Sequence, residues 1–233
     1  MAGAKEPGAM TREMELVHTG FLREFFLMPD LVHGVSPGDT QRAAIVADHV
    51  ESLSMGLHHH HHGEDREIWP RLLDRAPEEV QPLVHGMEKH HERIASLIDE
   101  LVQEIRAWRA GADAANRDAV SRTLEQLLPV LRLHLTEEVE YVLPLIEKHI
   151  TAAEWDAMGA RNLAQLPAET LPLIIGLSMY EGHPAAVKDV LENIPEETRA
   201  AVAEAAPKAY GDYAARLYGT RTPPYWSTLA SRR

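Results

Sequence analysis

Six residues of types that bind metal ions recur at the inward positions of long amphipathic segments. Each replaces an apolar residue in a stripe with three- and four-residue spacing: His18, His60, Glu64, His91, His134 and Glu138. A lone histidine on such a stripe is usually a core residue, but these stripes carry no lysine or arginine to neutralise two buried carboxylates. A bound multivalent cation would compensate all six groups at once, so the pattern predicts a metal site.

The spacing of these residues is nearly the same in the two halves of the chain. His18 and His60 are 42 positions apart, and His91 and His134 are 43 positions apart. His60 and His134 are each followed by glutamate four positions later and by proline ten positions later. We interpret this as an internal repeat that places two similar helix pairs around one centre, an arrangement that suits two metal ions.

The histidine of the second segment has to be chosen from a run of five at residues 58–62. The run is internal and fits the helical pattern, which argues against an expression tag. Register with His134 favours His60, and His61 and His58 are the next candidates for supporting or substitute roles. The other histidines are predicted to lie at the surface or in loops: His33, His49, His59, His62, His85, His90, His149 and His183.

The composition limits the function classes. Fourteen histidines contrast with no cysteine and a formal net charge of −13 in 233 residues. The acidic balance argues against a nucleic-acid or anionic-membrane partner, because both require a basic patch. Without cysteine, any metal must be held by nitrogen and oxygen. No apolar run is long enough to span a bilayer, and the first residues lack the apolar region of a secretory signal, so we expect a cytoplasmic protein.

Four long helices are predicted between residues 10 and 150. They run from Met10 to Met28 before Pro29, from an Asp39 or Thr40 cap to Leu73, from Pro77 to Gly111, and from Asp113 to Ile150. No segment alternates with the period of two that a strand requires. Short links between long amphipathic helices predict an all-α fold with an up-down-up-down four-helix bundle.

Shorter helices are predicted after the bundle. Thr151 and Glu154 form a capping-box pattern that opens one of them. Further helices are predicted over 171–180, 184–193 and 196–218, followed by an irregular tail. Because residues 151–233 lack a substantial apolar set of their own, we predict a helical extension packed on the bundle of residues 10–150 and not a second domain.

The pattern H…HxxxE…H…HxxxE on a four-helix bundle resembles the hemerythrin-like, HHE cation-binding family. The contexts HHHHHGEDREIWPRL and HLTEEVEYVLPLI agree with it, and the resemblance covers about residues 10 to 150. It implies a non-heme centre of two iron ions with an oxo or hydroxo bridge, with manganese or zinc as the weaker alternatives. The four histidines would be terminal ligands, and Glu64 and Glu138 would be bridging carboxylates.

The sequence departs from the oxygen-carrying hemerythrins, whose third helix supplies an HxxxH pair. The positions four before and four after His91 are Met87 and Ala95, so one iron would lack a histidine and reversible oxygen carriage is disfavoured. A tyrosine can fill an open position, as in the actinobacterial-looking (mycobacterial) subgroup that the pattern H-HxxxE-H-HxxxE-Y resembles. Tyr180 is our candidate and Tyr141 the alternative, against a plain helix-contact role for either.

Four carboxylates near the predicted ligands require a separate interpretation. Glu15 and Glu88 each come three positions before a predicted histidine ligand, and they are candidates to hydrogen-bond a ring N–H group. Exposure to solvent is the favoured interpretation for both. Asp65 and Glu137 are adjacent to predicted ligands and are also expected to face solvent.

The resemblance implies small-molecule partners: hydrogen peroxide, oxygen or nitric oxide. We expect a monomer or homodimer with no nucleic-acid or membrane partner. One hypothesis is catalase-like disproportionation of peroxide, or reduction of peroxide or nitric oxide. The alternative is a sensor or store of oxygen, nitric oxide or iron that does not turn over, and a third possibility is a purely structural metal.

Overall fold

The computed structural model describes residues 7–231, and nearly all of them are helical. The helices are α1 (Arg12–His33), α2 (Thr40–Gly63), α3 (Trp69–Arg75), α4 (Pro77–Gly111), α5 (Ala114–Glu137), α6 (Leu143–His149), α7 (Ala152–Ala164), α8 (Leu171–Met179), α9 (Pro184–Glu192), α10 (Glu196–Tyr218) and α11 (Trp226–Ala230). Over residues 7–231 no strand is present, so the all-α prediction is confirmed. None of the helices in this range combines the length and apolarity that crossing a membrane requires.

The four long helices form the predicted bundle. Helix α1 packs on α2, α2 on α4, α4 on α5, and α5 returns to α1. A five-residue π-helical turn, Glu64–Ile68, joins α2 to α3, and a second, Glu138–Val142, joins α5 to α6. The second and fourth predicted helices are therefore each interrupted by one wider turn.

The π turns follow from the repeated prolines. A proline has no N–H group and its ring clashes with the carbonyl four residues earlier, so the normal helical bonding fails in the preceding turn. Trp69 N–H instead donates to the Glu64 carbonyl, and Leu143 N–H donates to the Glu138 carbonyl, five residues earlier in each case. Pro70 directly follows Trp69. Each π turn thus begins at a predicted glutamate ligand.

The apolar core of the bundle is divided into two clusters, with a polar layer between them. The flanking core residues on the four bundle helices are Met14 and Leu22, Leu57 and Ile68, Met87 and Ile94, and Leu131 and Val142. The predicted histidines and glutamates lie between these residues on every helix. The four helices therefore bring their polar residues to one level of the bundle, enclosed by apolar packing on both sides.

Two predicted boundaries are wrong. Helix α1 does not stop at Pro29 but continues to His33, whose ring Nδ1 lies 2.8 Å from the Pro29 carbonyl oxygen. The tail is not wholly irregular, because α11 forms at its end. The carboxylate of Glu181 accepts hydrogen bonds from the first two backbone N–H groups of α11, of which that of Trp226 measures 2.8 Å. This long-range cap was not visible as a local sequence signal.

Helices α8 to α11 dock on α1 through a buried polar cluster. The Glu24 carboxylate, which is fully buried, accepts hydrogen bonds from Arg23 at 2.9 Å, from the hydroxyl of Tyr210 at 2.8 Å and from that of Tyr218. His49, predicted to be a surface residue, is instead buried beside this carboxylate, because α10 covers it. That residues 151–233 form an extension of the bundle stays a prediction, and this cluster supports it.

Glu24→Ala is expected to destabilise the protein strongly, because it removes the buried carboxylate 2.9 Å from the Arg23 guanidinium and leaves only that of Glu181, at 3.5 Å. We expect a loss of about 3–5 kcal/mol in the free energy of unfolding, measured by urea denaturation. The matched control is Glu125→Ala, at an exposed position of α5, with an expected change within about 0.5 kcal/mol. Equal effects of the two substitutions would contradict this role for Glu24.

Candidate metal centre

Donor atoms from the four bundle helices and both π turns converge in the polar layer. They form two groups, in each of which one nitrogen or oxygen atom per residue lies within 4.8 Å of the others. The three-histidine group consists of His61, Glu64, His91 and His134. The two-histidine group consists of His18, His60, Glu64 and Glu138. The structure therefore brings together all six histidines and glutamates predicted from the stripes, and adds His61.

The two carboxylates lie between the groups. Glu64 places Oε1 at 3.0 Å from His60 Nε2 and Oε2 at 3.3 Å from His91 Nε2, so each of its oxygens faces one group. Glu138 Oε2 lies 3.5 Å from His18 Nε2 and 3.7 Å from His134 Nε2. Each glutamate therefore lies near histidines of both groups, and the bridging role that the sequence resemblance implied for them stays a prediction.

Most of the convergent atoms are buried and lack hydrogen-bond partners; the exceptions are His18 Nε2 and His60 Nε2, which lie 3.0 Å from each other. Both carboxylate oxygens of Glu64 and of Glu138 are buried without a partner, as are the Nε2 atoms of His61, His91 and His134. Burying a polar group without a partner costs free energy, and burying a charge costs more. A set of buried nitrogen and carboxylate-oxygen donors, most of them without a partner among residues 7–231, fits a bound cation such as iron, manganese or zinc.

The electrostatics favour neutral rings at four of the five histidines in the two groups, around a negative carboxylate. Burial, assisted by the neighbouring His60, lowers the pKa of His18 to about 3. Burial likewise lowers the pKa values of His60, His61 and His134. Burial alone would raise the pKa of Glu64, but the surrounding imidazoles lower it well below its usual range. Neutral imidazole and ionised carboxylate are the forms that bind metals.

Glu138 titrates in the opposite direction from Glu64. Burial and the nearby Glu64 carboxylate raise its pKa well above the usual range. Two carboxylates in one buried site cannot both ionise easily without a positive charge between them. In the metal-free protein, a proton on Glu138 therefore supplies part of the positive charge that a bound cation would supply.

Asp65 holds the His91 ring in its orientation. Its Oδ1 lies 2.8 Å from His91 Nδ1 and also accepts a hydrogen bond of 2.9 Å from Trp69 Nε1. Although burial lowers the pKa of His91, contacts with Asp65 and Glu64 raise it to about 9. With Nδ1 engaged, Nε2 faces the centre, the usual arrangement for a ligating histidine.

Asp65 faces solvent as expected, with 41% of its side chain exposed, but its hydrogen bond to the His91 ring was not predicted. Glu15 and Glu88 were the candidates for ring partners. Both are exposed, and Glu88 lies 3.8 Å from the exposed His85 ring, in keeping with the favoured interpretation.

His61 joins the three-histidine group, although register with His134 had favoured His60 over it as the ligand of the histidine run. Its ring stacks on that of His91, with centroids 4.2 Å apart, and approaches His134 at 4.7 Å. Successive residues on a helix are about 100° apart, so His60 and His61 reach different groups from one turn. His58, the other candidate in the run, is exposed. The sequence contained one indication of the role of His61. The HxxxH partner of His91 is missing on α4, so a further histidine of that group had to come from another helix.

Neither tyrosine candidate is brought to the two groups. The Tyr180 hydroxyl donates to the Pro223 carbonyl at 2.7 Å, and its ring packs against Arg23 and Tyr210. Tyr141 is 48% exposed, because the π turn directs it outward. Tyr180 thus belongs to the contacts that attach α8 and the tail to α1, so the helix-contact interpretation describes its position.

Comparisons with known proteins agree with the site over the bundle. Residues 9–150 match the family model described as the hemerythrin HHE cation-binding domain, which covers more than half of the chain. A search of curated proteins gave no match, and neither did a search of solved structures.

The metal-free protein is expected to lose stability in acid. A histidine whose pKa is lowered by folding binds its proton more readily when unfolded, so falling pH favours the unfolded chain. Five buried rings act in this direction, those of His18, His49, His60, His61 and His134, and the raised pKa values of His91 and Glu138 oppose only part of it. We expect the free energy of unfolding to fall as the pH decreases from about 6.5 towards about 3, the interval between the usual and folded pKa values of His18.

Urea denaturation between pH 7 and pH 5 measures this effect. His18→Gln is expected to reduce the pH dependence, since it removes one of the five rings. His33→Gln, at an exposed position, is the control and should leave the dependence unchanged. A metal-free protein that is equally stable at pH 7 and pH 5 would contradict the prediction.

Proposed function

Because the chain belongs to the hemerythrin HHE cation-binding domain family, whose members bind a metal that is typically iron, we propose that its polar layer holds two iron ions. The observation that carries the proposal is the convergence of seven buried donor side chains in two groups that share Glu64. Asp65 orients one of the rings, and the two apolar clusters exclude water from above and below the layer.

The donor count suggests where a small molecule would bind. An iron ion in such a site takes about six ligands. Glu64 and Glu138 would be shared by the two ions, so that three histidines would complete the ligands of one ion, whereas two would leave a position open on the other. We assign the open position to the two-histidine group, formed around His18 and His60. A paired iron centre supplies a redox couple and a Lewis acid to whichever molecule binds there.

The molecules that fit this position are hydrogen peroxide, oxygen and nitric oxide. Our first candidate activity is the handling of peroxide, which in the catalase-like case converts two molecules of hydrogen peroxide to one of oxygen and two of water. In this reaction the chain's residues would hold neutral rings and ionised carboxylates in place between the two apolar clusters.

A second candidate is reversible binding of oxygen or nitric oxide without turnover. The position of His61 favours it, because this residue supplies the ring nitrogen that the sequence of α4 lacks. The missing histidine on α4 was the reason that the sequence disfavoured reversible binding, and Tyr180, the other residue considered for an open position, does not reach the groups. The two candidates share the same metal site and differ in what happens after a molecule binds.

Metal content separates the buried from the exposed histidines of residues 58–62. We expect His61→Gln to lower the iron content from about two ions per chain to about one or none, because it removes a nitrogen from the three-histidine group. His58→Gln changes an exposed residue three positions away and is expected to leave the content unchanged. Elemental analysis of the two purified variants, with circular dichroism to check folding, measures the difference. Full iron retention by His61→Gln would contradict the assigned ligand set.

An oxygen electrode separates the two candidate functions. For the iron-loaded protein we expect steady evolution of one oxygen per two hydrogen peroxide molecules consumed, over many equivalents of protein, and no evolution for His61→Gln. Consumption of neither peroxide nor nitric oxide would overturn the first candidate. Repeated, reversible changes of the absorption spectrum between oxygen and nitrogen atmospheres would then establish the second.

A further inference from the structure

A cavity of about 190 Å³ lies against the two-histidine group, between α1, the first π turn and α7. His60 and Glu64 form part of its wall, and both are mostly or fully buried. Asn162 also lines the cavity and is exposed, so the cavity extends from the surface of α7 to the polar layer. Helix α7 lies outside residues 9–150, so one wall of the cavity comes from beyond the family match.

The walls are mainly apolar. The side chains that contribute carbon surface come from α1, the first π turn, α7 and α9: Met14, Val17, Ile68, Trp155, Met158 and Val190. Cavities that bind small organic molecules combine such walls with a few polar groups that fix the orientation of the ligand. An apolar cavity of about 150 Å³ is large enough for benzene. The cavity is therefore larger than a diatomic gas or hydrogen peroxide requires.

One polar group in the cavity wall has a hydrogen-bond acceptor without a partner, which a ligand can use. Trp155 Nε1 donates a hydrogen bond to Glu13 Oε1, which fixes the carboxyl group between α1 and α7. The other oxygen, Glu13 Oε2, is buried and has no hydrogen-bond partner. A buried oxygen in this state is costly unless a donor reaches it. The side chain lines the cavity, so a ligand there can supply that donor.

We propose that this cavity binds a small organic molecule with one hydroxyl group, and that the hydroxyl donates to Glu13 Oε2. Its apolar body has about six to eight non-hydrogen atoms, as the comparison with a benzene-sized cavity indicates. Phenols and short hydroperoxides or alcohols belong to this class. The molecule lies beside His60 and Glu64, so it also reaches the open position assigned under the proposed function. Binding itself does not require a metal ion.

A second cavity, on another side of α1, is lined by Glu15 and not by Glu13. This cavity of about 290 Å³ lies between α1 and α8–α9, and charged side chains line it: Arg12, Glu15, Arg23 and Glu181. It does not include any histidine or glutamate of the two groups. Glu15, two residues from Glu13, lies in its wall and is exposed, which makes it a matched control on the same helix.

Titration calorimetry with phenol and toluene tests the proposal. The two probes have the same size, and only phenol carries a hydroxyl. Glu13→Gln is expected to weaken phenol binding about tenfold and to leave toluene binding within about twofold, because a charge-assisted hydrogen bond is lost. Glu15→Gln should change neither affinity. No binding of either probe, or equal effects of the two substitutions on phenol, would overturn the proposal.

The location of binding is measured separately, on metal-free protein. The indole N–H resonance of Trp155, assigned by Trp155→Phe, is expected to shift most on addition of toluene, with Trp69, Trp108 and Trp226 as internal references. Leu163→Trp, at a half-buried position of the cavity wall, should fill the space and abolish binding of both probes. A shift confined to another indole, or unchanged binding to Leu163→Trp, would contradict the assigned site. Because these probes need no metal, failure of the iron proposal would leave this result intact.

Discussion

The burial of two carboxylates among five imidazoles is the constraint on which the rest of the structure depends. Glu64 and Glu138 lie within the bundle without a lysine or arginine partner, and each faces histidines of both groups. Burying such charges in a helical core is unfavourable by itself. The apolar clusters above and below hold the four helices together, so the polar layer is retained although its burial costs free energy. A cation bound by the carboxylates and imidazoles would recover that free energy, which would strengthen its binding.

Other features of the chain position and protect this layer. The two π turns begin at the two glutamates, and the repeated prolines explain why the helices widen there. Asp65, on the first π turn, fixes the His91 ring from outside the layer. The helices after residue 151 close one side, where Trp155 of α7 contacts Glu13 of α1. The buried contacts of Glu24 attach α8–α11 to the same helix.

Much of this arrangement was predictable from the sequence, because helical periodicity and an internal repeat are local or regular signals. The stripes placed His18, His91 and His134 at one level, and the structure brings them together with both glutamates. The role of His61 was not settled by the sequence. Helical periodicity identifies the residues on one face of a helix, whereas His60 and His61 are adjacent and face two different groups. The burial of His49 and the position of Tyr180 depend on α10 and the tail, which are distant in sequence. The partnership of Asp65 with His91 depends on the wider π turn, which periodicity does not predict.

The central claim is that two iron ions share Glu64 in the polar layer. Anomalous diffraction from crystals of the iron-loaded protein, recorded on both sides of the iron absorption edge, tests it most directly. The account predicts two peaks about 3.5–4 Å apart, one in the three-histidine group and one in the two-histidine group, with a Glu64 oxygen directed at each. A single peak, or two peaks that Glu64 does not bridge, would contradict it.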